Sequence, residues 1–525
     1  MYKRVSLAMR VFTYVRLIVF SLGLVQMLGC SGLPSLDNRP VSRAFSVEET
    51  RNTSFARAVL PALETHPGKN GIYALEESVD AFAARIWLTR FAERSIDVQY
   101  YIWNNDMTGV MLFEALHSAA DRGVRVRLLL DDNNTGGLDE LLSMLDAHPN
   151  IEVRLFNPFV VRKPRLIGYV SDFSRANRRM HNKSFTIDNH ATIVGGRNIG
   201  DEYFGASPDL SFADLDVLTI GPIVEQVSED FDRYWSSDST YPISTIVAAV
   251  STERLRELAL QSQQITRKPE AKKYIASLQK LEFVQQLNAG QLEMLWAPIK
   301  MVSDDPRKGL GQAKAEGLLS SQLRDIIGAP QTDVELISPY FVPTKSGTDA
   351  FARIVQEGVE VRILTNSLAA TDVAAVHAGY AKRRKALIRS GVTLYEMRRV
   401  HQPPKKRKSS RIMGSSGSSL HAKTFAVDQQ RVFIGSFNFD PRSANLNTEL
   451  GFVIDSPELA AQIRETFDED VPYAAYKVEI CDNGRLCWVE KNESERIIHY
   501  SEPNASIWRR VGVRFLSWLP IEWLL

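Results

Sequence analysis

One phrase occurs twice in this chain of 525 residues. The first copy is His181-Asn182-Lys183, then Asp188, then Gly195-Gly196-Arg197-Asn198; the second is His421-Ala422-Lys423, then Asp428, then Gly435-Ser436-Phe437-Asn438. Both read H-x-K-x4-D-x6-G-[GS]-x-N. A sparse polar pattern repeated at fixed spacing constrains the chain to two copies of one fold. Each copy brings one histidine, one lysine and one carboxamide, so two copies face to face make a symmetric site that grips one phosphate. Phosphodiester chemistry there needs no metal, and no His, Cys or acidic cluster has convincing metal-ligand spacing.

The duplication is larger than the phrase. Ser95 to Tyr101 alternates like a strand, Thr108 to Arg122 has helical spacing, and Val124 to Leu130 reads as a buried strand. Asp333 to Ser338, Lys345 to Gly358 and Val359 to Leu364 repeat that order. Asp97 and Asp333 stand 236 residues apart and His181 and His421 stand 240 apart, a near-constant offset that marks duplication of a whole domain. Alternating strands and helices predict an α/β sandwich in each half, with the active site at the interface of two pseudo-symmetric domains. The expected organisation is a first domain over residues 70–244, a helical connector over 245–291 broken near Pro269, a second domain over 292–475, and a hairpin with a C-terminal tail over 476–525.

Around each His-x-Lys the character alternates: Met180, Asn182, Ser184 and Thr186 interleave with His181, Lys183, Phe185 and Ile187. A period of two sends His and Lys to one face of a strand, about 7 Å apart. Asn189 and Gln429-Gln430 then turn the chain into a second strand, which runs into the glycine-rich turn bearing the asparagine.

The N-terminus is of another kind. Lys3, Arg4, Arg10 and Arg16 precede the apolar run Leu17 to Leu28, as in an export signal too short to span a bilayer. Met27-Leu28-Gly29-Cys30 resembles a bacterial lipobox, with Met27 in place of the usual Leu, and predicts lipidation of Cys30; an uncleaved anchor is the alternative. Either puts the protein at a membrane surface, and Ser31 lacks the Asp of inner-membrane retention, so residues 1–30 predict a periplasmic lipoprotein of a Gram-negative bacterium. Residues 31–69, polar over their first half, are expected to be a linker. Cys481 and Cys487 flank Asn483-Gly484 between alternating segments. A loop Asn483 to Arg485 would set them opposite one another across a hairpin, bonded as a disulfide in an oxidising compartment.

A phosphodiester needs a nucleophile, a proton donor for the leaving alkoxide, and donors for the nonbridging oxygens. Histidine, with an ordinary pKa near 6.5, serves as either of the first two. The lysine pair and the Asn198–Asn438 pair supply the third. The duplicated phrase resembles the signature of the phospholipase D superfamily, and the repeated framework covers most of residues 70 to 470. That resemblance implies attack by His181 to give a covalent phosphohistidine, with His421 as general acid, a polarity that the symmetry of the site leaves open. It also implies Asp214, in Phe212-Ala213-Asp214-Leu215-Asp216, and Glu449, in Asn447-Thr448-Glu449-Leu450, as the carboxylates that orient the histidines. Lys183, Lys423, Asp188 and Asp428 complete the catalytic signature, although the two aspartates, five residues beyond the lysines, better suit holding the fold.

Tyr100-Tyr101-Ile102-Trp103, Gly196 to Phe204, Asp214 to Leu218 and the closing Leu519 to Leu525 resemble the cardiolipin synthase branch, its type C in particular. This implies phosphatidyl transfer between phospholipids without a cofactor, with phosphatidylglycerol as substrate and phosphatidylethanolamine as a second candidate. It leaves room for an accessory protein and gives no reason to expect nucleic acid. The total of 63 basic against 62 acidic residues names no partner by bulk charge. Locally, Arg162, Lys163, Arg165, Arg175, Arg178 and Arg179 precede the first motif, and Arg398 to Lys408 precedes the second. Both mouths of the site thus read as basic, suited to lipid phosphates or left as solvated loops. Trp508, Trp518 and Trp523 with Arg509, Arg510 and Arg514 suit a membrane interface or packing on the first domain. His377 and Tyr380 could line a head-group pocket or be structural. The rival functions are phospholipid hydrolysis, nuclease action and non-catalytic binding of anionic lipid.

Overall fold

Two sheets of matching topology carry the two copies of the phrase. The computed structural model describes residues 32–208, 210–399, 419–492 and 495–525. Cys30 and the export signal lie outside them, as does most of the basic loop before His421. The first lobe holds β1 (Asn70–Leu75), β2 (Ser95–Ile102), β3 (Arg125–Asn134), β4 (Ile151–Phe156), β5 (Ser184–Ile187), β6 (Ala191–Gly195), β7 (Phe212–Ala213), β8 (Asp216–Ile220), β9 (Thr240–Pro242) and β10 (Leu295–Ala297). The second holds β11 (Ile299–Ser303), β12 (Asp333–Ile337), β13 (Glu360–Asn366), β14 (Thr393–Met397), β15 (Ser419–Leu420), β16 (Thr424–Val427), β17 (Arg431–Gly435) and β18 (Leu450–Asp455). It closes with β19 (Ala475–Ile480), β20 (Leu486–Lys491) and β21 (Arg496–His499).

The sheets run β10-β1-β8-β6-β5-β2-β3-β4-β9 and β11-β18-β17-β16-β12-β13-β14-β19-β20-β21. β2 and β3 pair in parallel across the helix Met107–Asp121, and β12 and β13 do so across Thr344–Gln356. Strands covered on both faces read as apolar runs, as Leu128 to Leu130 does, and the buried Arg127 before it is paired with Asp97. Between β5 and β6 the chain turns at Asp188 (φ 48°) and Asn189 (φ 54°), and between β16 and β17 at Asp428 (φ 55°) and Gln429 (φ 52°). Two successive left-handed residues are what a tight type I′ hairpin requires. A shared cluster joins the lobes, packing Val194, Leu215 and Val217 of the first against Leu420, Ile434 and Leu450 of the second.

Four expectations change. The segment expected as a linker is docked: Ser46 and Glu49 form a capping box, Arg39 donates to the Ser237 and Thr240 carbonyls, and the helix Ser54–Glu64 buries Phe55 and Ala56. Its polar residues serve as caps and donors, which composition alone reads as a tether. β10 adds to the edge of the first sheet beside β1, although it falls in the stretch expected for the second domain. The hairpin of residues 476–499 extends the second sheet, because β19 pairs with β14. In that hairpin Cys487 stands opposite Glu479, and Cys481 donates its N–H to the Arg485 carbonyl, so the disulfide Cys481–Cys487 crosses a diagonal instead of joining facing residues.

The tail packs on the second lobe, not the first. The helix Ile507–Leu516 buries Val513 against Leu368 and Ala378. His377 Nε2 lies 3.4 Å from Glu502, which also pairs with Arg384 at 2.5 Å, and Tyr380 is buried beside them. These residues fasten the tail. Among the described residues no helix is long and apolar enough to cross a membrane.

Candidate active site

Each His-x-Lys segment leaves its own sheet and pairs with the other lobe. Met180 bridges Thr448 in parallel, with the His181 N–H on the Thr448 carbonyl at 2.8 Å and the Thr448 N–H on the Arg179 carbonyl at 2.9 Å. Reciprocally, β15 pairs in parallel with β7, and the His421 N–H donates to the Ala213 carbonyl at 2.7 Å. The two histidines thus sit in extended stretches just before β5 and β16, not within a strand of their own sheet. This exchange brings Glu449 to His181 and Asp214 to His421.

His181 Nδ1 lies 2.8 Å from Glu449 Oε2, and His421 Nδ1 lies 2.6 Å from Asp214 Oδ2. Both carboxylates are fully buried, and each fixes its imidazole so that Nε2 is the atom left for chemistry. The two halves differ. Burial opposes the charge on Asp214, yet His421, Lys423 and Arg197 hold its carboxyl well below the usual range. Burial instead pushes Glu449 up to about 7, against the pull of Lys183, and its Oε2 also accepts the Ser436 hydroxyl at 2.5 Å. His181 is driven well below its ordinary value by burial and by Lys183, Lys423 and His421. Burial and Lys423 also outweigh Asp214 at His421 and lower it.

Lys183 Nζ donates to the His181 carbonyl at 2.6 Å and Lys423 Nζ to the His421 carbonyl at 2.5 Å. An ammonium has three donors, so each retains capacity for a phosphate oxygen. Burial lowers Lys183 to about 7, and burial lowers Lys423 as well. Asn198 Oδ1 accepts the Ile102 N–H and its Nδ2 donates to Tyr203 Oη, while the buried Asn438 Oδ1 has no partner among the described residues.

The family model described as "Cardiolipin synthase, PLD-like domain" matches residues 88–235 and again 323–471, one match in each lobe and each containing one complete phrase. The chain belongs to this phospholipase D-like cardiolipin synthase family. Cardiolipin synthase C of Escherichia coli (strain K12) is 51% identical over 470 residues, covering 90% of this chain and 99% of that one. Cardiolipin synthase A of Pseudomonas syringae pv. syringae is 25% identical over 81% of this chain and 74% of its own. The crystal structure of phosphatidylserine synthase from Haemophilus influenzae shares the fold, with TM-score 0.55, 14% identity and coverage of 90% of this chain and 100% of that one. Membership makes the chain a phospholipase D-type phosphatidyltransferase.

Not every residue of the signature reaches the site of this cardiolipin synthase-like chain. Asp188 accepts the N–H groups of Glu93 (3.0 Å), Arg94 (2.8 Å) and Ser95 (2.8 Å), anchoring the start of β2. Asp428 accepts those of Gln331 (2.8 Å) and Thr332 (2.7 Å) before β12. Both act at the turn end of the hairpin, away from the histidines. The arginines before the first motif are committed as well: Arg162 to Asp132 and Asp139, Arg165 to Asp132, Arg175 to Asp172, Arg179 to Asp131, and Arg178 to the Lys308 and Asn445 carbonyls. They brace the lobe and do not form a free basic mouth.

Sequence reasoning missed several residues. Tyr101 packs edge-on to His181 (4.9 Å), and Tyr203 and Phe212 flank His421 (5.2 and 5.1 Å). Asp304 accepts the Glu449 N–H at 2.9 Å and pairs with Lys308 at 2.9 Å, bracing the segment that delivers Glu449. His117, Asp121 and His148 also meet, on the first lobe and outside the paired site. There His148 Nδ1 accepts the Asn150 N–H at 3.1 Å, so its proton is on Nε2, facing Asp121 at 3.3 Å. Both imidazoles lie within hydrogen-bond reach of Asp121, at 3.2 and 3.3 Å.

Proposed function

We propose that this chain forms cardiolipin by moving a phosphatidyl group onto phosphatidylglycerol through a phosphohistidine on His181. The observation that carries the reading is the reciprocal pairing of each histidine with a carboxylate from the opposite lobe, which leaves two Nε2 atoms for one phosphorus. In the first displacement His181 Nε2 attacks phosphorus, the P–N bond forms and the P–O bond to the head-group alcohol breaks. His421 Nε2–H supplies the proton to the departing alkoxide. In the second, a phosphatidylglycerol hydroxyl gives its proton to His421 and attacks phosphorus, and the P–N bond breaks. Lys183, Lys423, Asn198 and Asn438 hold the nonbridging oxygens.

The polarity follows from the unequal carboxylates. Asp214, kept ionised, favours a protonated His421, whereas Glu449, raised by burial to about 7, leaves His181 neutral and nucleophilic. The negative phosphodiester offsets the two lysines and raises the proton affinity of His421. Donor lipids of this reading are phosphatidylglycerol or phosphatidylethanolamine, and the place of action is a membrane surface, periplasmic if Cys30 carries lipid.

The test is mass spectrometry of products from the full chain with phosphatidylglycerol and phosphatidylethanolamine vesicles. Cardiolipin is expected, with the released alcohol naming the donor, and its loss in both His181→Ala and His421→Ala. Phosphatidic acid alone would replace transfer by hydrolysis, and full activity of His421→Ala would overturn the paired mechanism.

A further inference from the structure

We propose that the protein docks on an anionic lipid bilayer through two apolar patches, one on each lobe, that flank the mouth of the paired site. The proposal rests on the phospholipid reading above and names the surface through which that site meets its substrate.

The first patch is the helix Ile507–Leu516 with the turn after it. At 3.6 residues per turn, Ile507, Trp508, Val511, Phe515 and Trp518 fall within an arc of about 100°. An ordinary surface helix buries such a stripe. Here it faces out, with Trp508 80% and Trp518 76% exposed, and the helix buries Val513 on its opposite side. Arg514 and Arg510 border one edge of the stripe, the arrangement of a helix lying in a bilayer interface, and their charge complements an anionic one. The second patch is on the helices Arg165–Ser171 and Phe173–Ala176, where Leu166 is 73% and Val170 77% exposed, with Phe173 beside them.

Both patches connect to the site. Arg509 donates to the Thr371 carbonyl. The next residue, Asp372, accepts the Tyr340 hydroxyl at 2.7 Å and acts electrostatically on Lys423. On the other side, Tyr169 donates to Asn133 Oδ1 at 2.9 Å on β3, the strand whose Asp131 accepts the Met180 N–H at 2.7 Å beside His181. Arg442 joins the two sides: its guanidinium donates to Asn177 Oδ1 (2.8 Å) just after the first-lobe helices, and its N–H to the Leu525 backbone oxygen (2.8 Å) in the tail. The two apolar patches, from sequence-distant segments, are therefore tied to one another through Arg442, and in the proposed geometry one flat bilayer meets both over the paired site.

The experiment is hydrogen exchange of the full chain with phosphatidylglycerol vesicles and with neutral phosphatidylcholine vesicles, paired with turnover of Trp508→Ser/Phe515→Ser/Trp518→Ser. Slower exchange over residues 165–173 and 507–518 with the anionic vesicles is expected. The triple variant should lose at least about tenfold in turnover on vesicles, since removing three large apolar side chains costs that much partitioning or more. It should match the parent on a short-chain phosphatidylglycerol dissolved as monomers. Unchanged exchange in both segments while vesicle lipid is still turned over would overturn the proposal. So would protection that follows protein concentration in the absence of vesicles, which would assign the patches to a second copy of the chain. Absence of product from the monomeric lipid as well, with the protection intact, would instead overturn the functional reading and leave the docking surface standing.

Discussion

Replacing Asp214 by Asn separates the two histidines chemically. Asp214 is fully buried and accepts His421 Nδ1 at 2.6 Å and the Leu215 N–H at 2.8 Å. Asparagine keeps the shape and one acceptor but removes the charge that stabilises the His421 imidazolium. A hydrogen bond to a charged group contributes about 1.5–3 kcal/mol, and breaking a buried pair costs up to about 5 kcal/mol. Each 1.36 kcal/mol being tenfold, Asp214→Asn should lower turnover of phosphatidylglycerol by roughly 100- to 1,000-fold. The informative assay is single-turnover release of p-nitrophenol from a phosphatidyl p-nitrophenyl ester, whose phenolate departs without a proton. With general acid catalysis no longer needed, Asp214→Asn should recover to within about tenfold of the parent. Glu449→Gln, which disturbs the nucleophile instead, should stay impaired on both substrates. Rescue of Glu449→Gln but not of Asp214→Asn would reverse the roles of His181 and His421.

Two further outcomes follow from the same geometry. Asp188→Ala strands three backbone N–H groups at the start of β2 and should destabilise the first lobe by about 2–4 kcal/mol in denaturant melts, with kcat at 25 °C changed by less than about threefold; a large loss of kcat with an unchanged melt would return Asp188 to the catalytic set. Lys183, lowered by burial to about 7 from 10.5, binds a proton in the unfolded chain but not in the folded one between about pH 7 and 10, so this residue makes stability rise with pH in that window. Its loss of charge weakens the grip on phosphate over the same range, and binding of inorganic phosphate at pH 8 should take up protons, read by calorimetry in buffers of different ionisation enthalpy. Heat independent of buffer would refute the shifted lysine.

What was legible in the sequence is what depends on neighbours along the chain. The repeated phrase, the strand, helix, strand order and the turns expected at Asn189 and Gln429-Gln430 are local patterns, and each has its counterpart in the two sheets, with both turns beginning one residue earlier, at Asp188 and Asp428. The alternation around His181 and His421 was also real, but its ladder partner is the other lobe, at Thr448 and Ala213, which no local period encodes. For the same reason the sequence offered Asp214 and Glu449 without saying which serves which histidine. The basic stretch from Arg162 to Arg179 was misread because its partners Asp131, Asp132 and Asp139 are supplied by a distant strand end and helix. In the tail the amphipathic spacing was visible from Ile507 to Trp518, whereas the choice of which side faces the protein came from the packing of Val513 against the second lobe.

The departures from symmetry are small and fall where the chemistry needs them. Transfer through a phosphohistidine requires one histidine unprotonated and the other protonated at the same moment, and a perfectly symmetric site would give both the same proton affinity. The backbone retains the symmetry: each motif segment crosses to the other lobe in parallel, and each Nδ1 meets a carboxylate. The side chains break it. A Cβ at Gly196 would stand 2.1 Å from Asp214 Oδ1, so only glycine lets the shorter carboxylate lie this close to its own backbone turn. At the equivalent position Ser436 carries a side chain whose hydroxyl donates to Glu449 Oε2 at 2.5 Å and favours the carboxylate, but burial outweighs it and raises Glu449. One pair thus becomes a strongly ionised carboxylate beside His421 and the other a weakly ionised carboxyl beside His181. Duplication supplies two equivalent histidines; in the proposed reading the aspartate-to-glutamate difference sets the acid apart from the nucleophile.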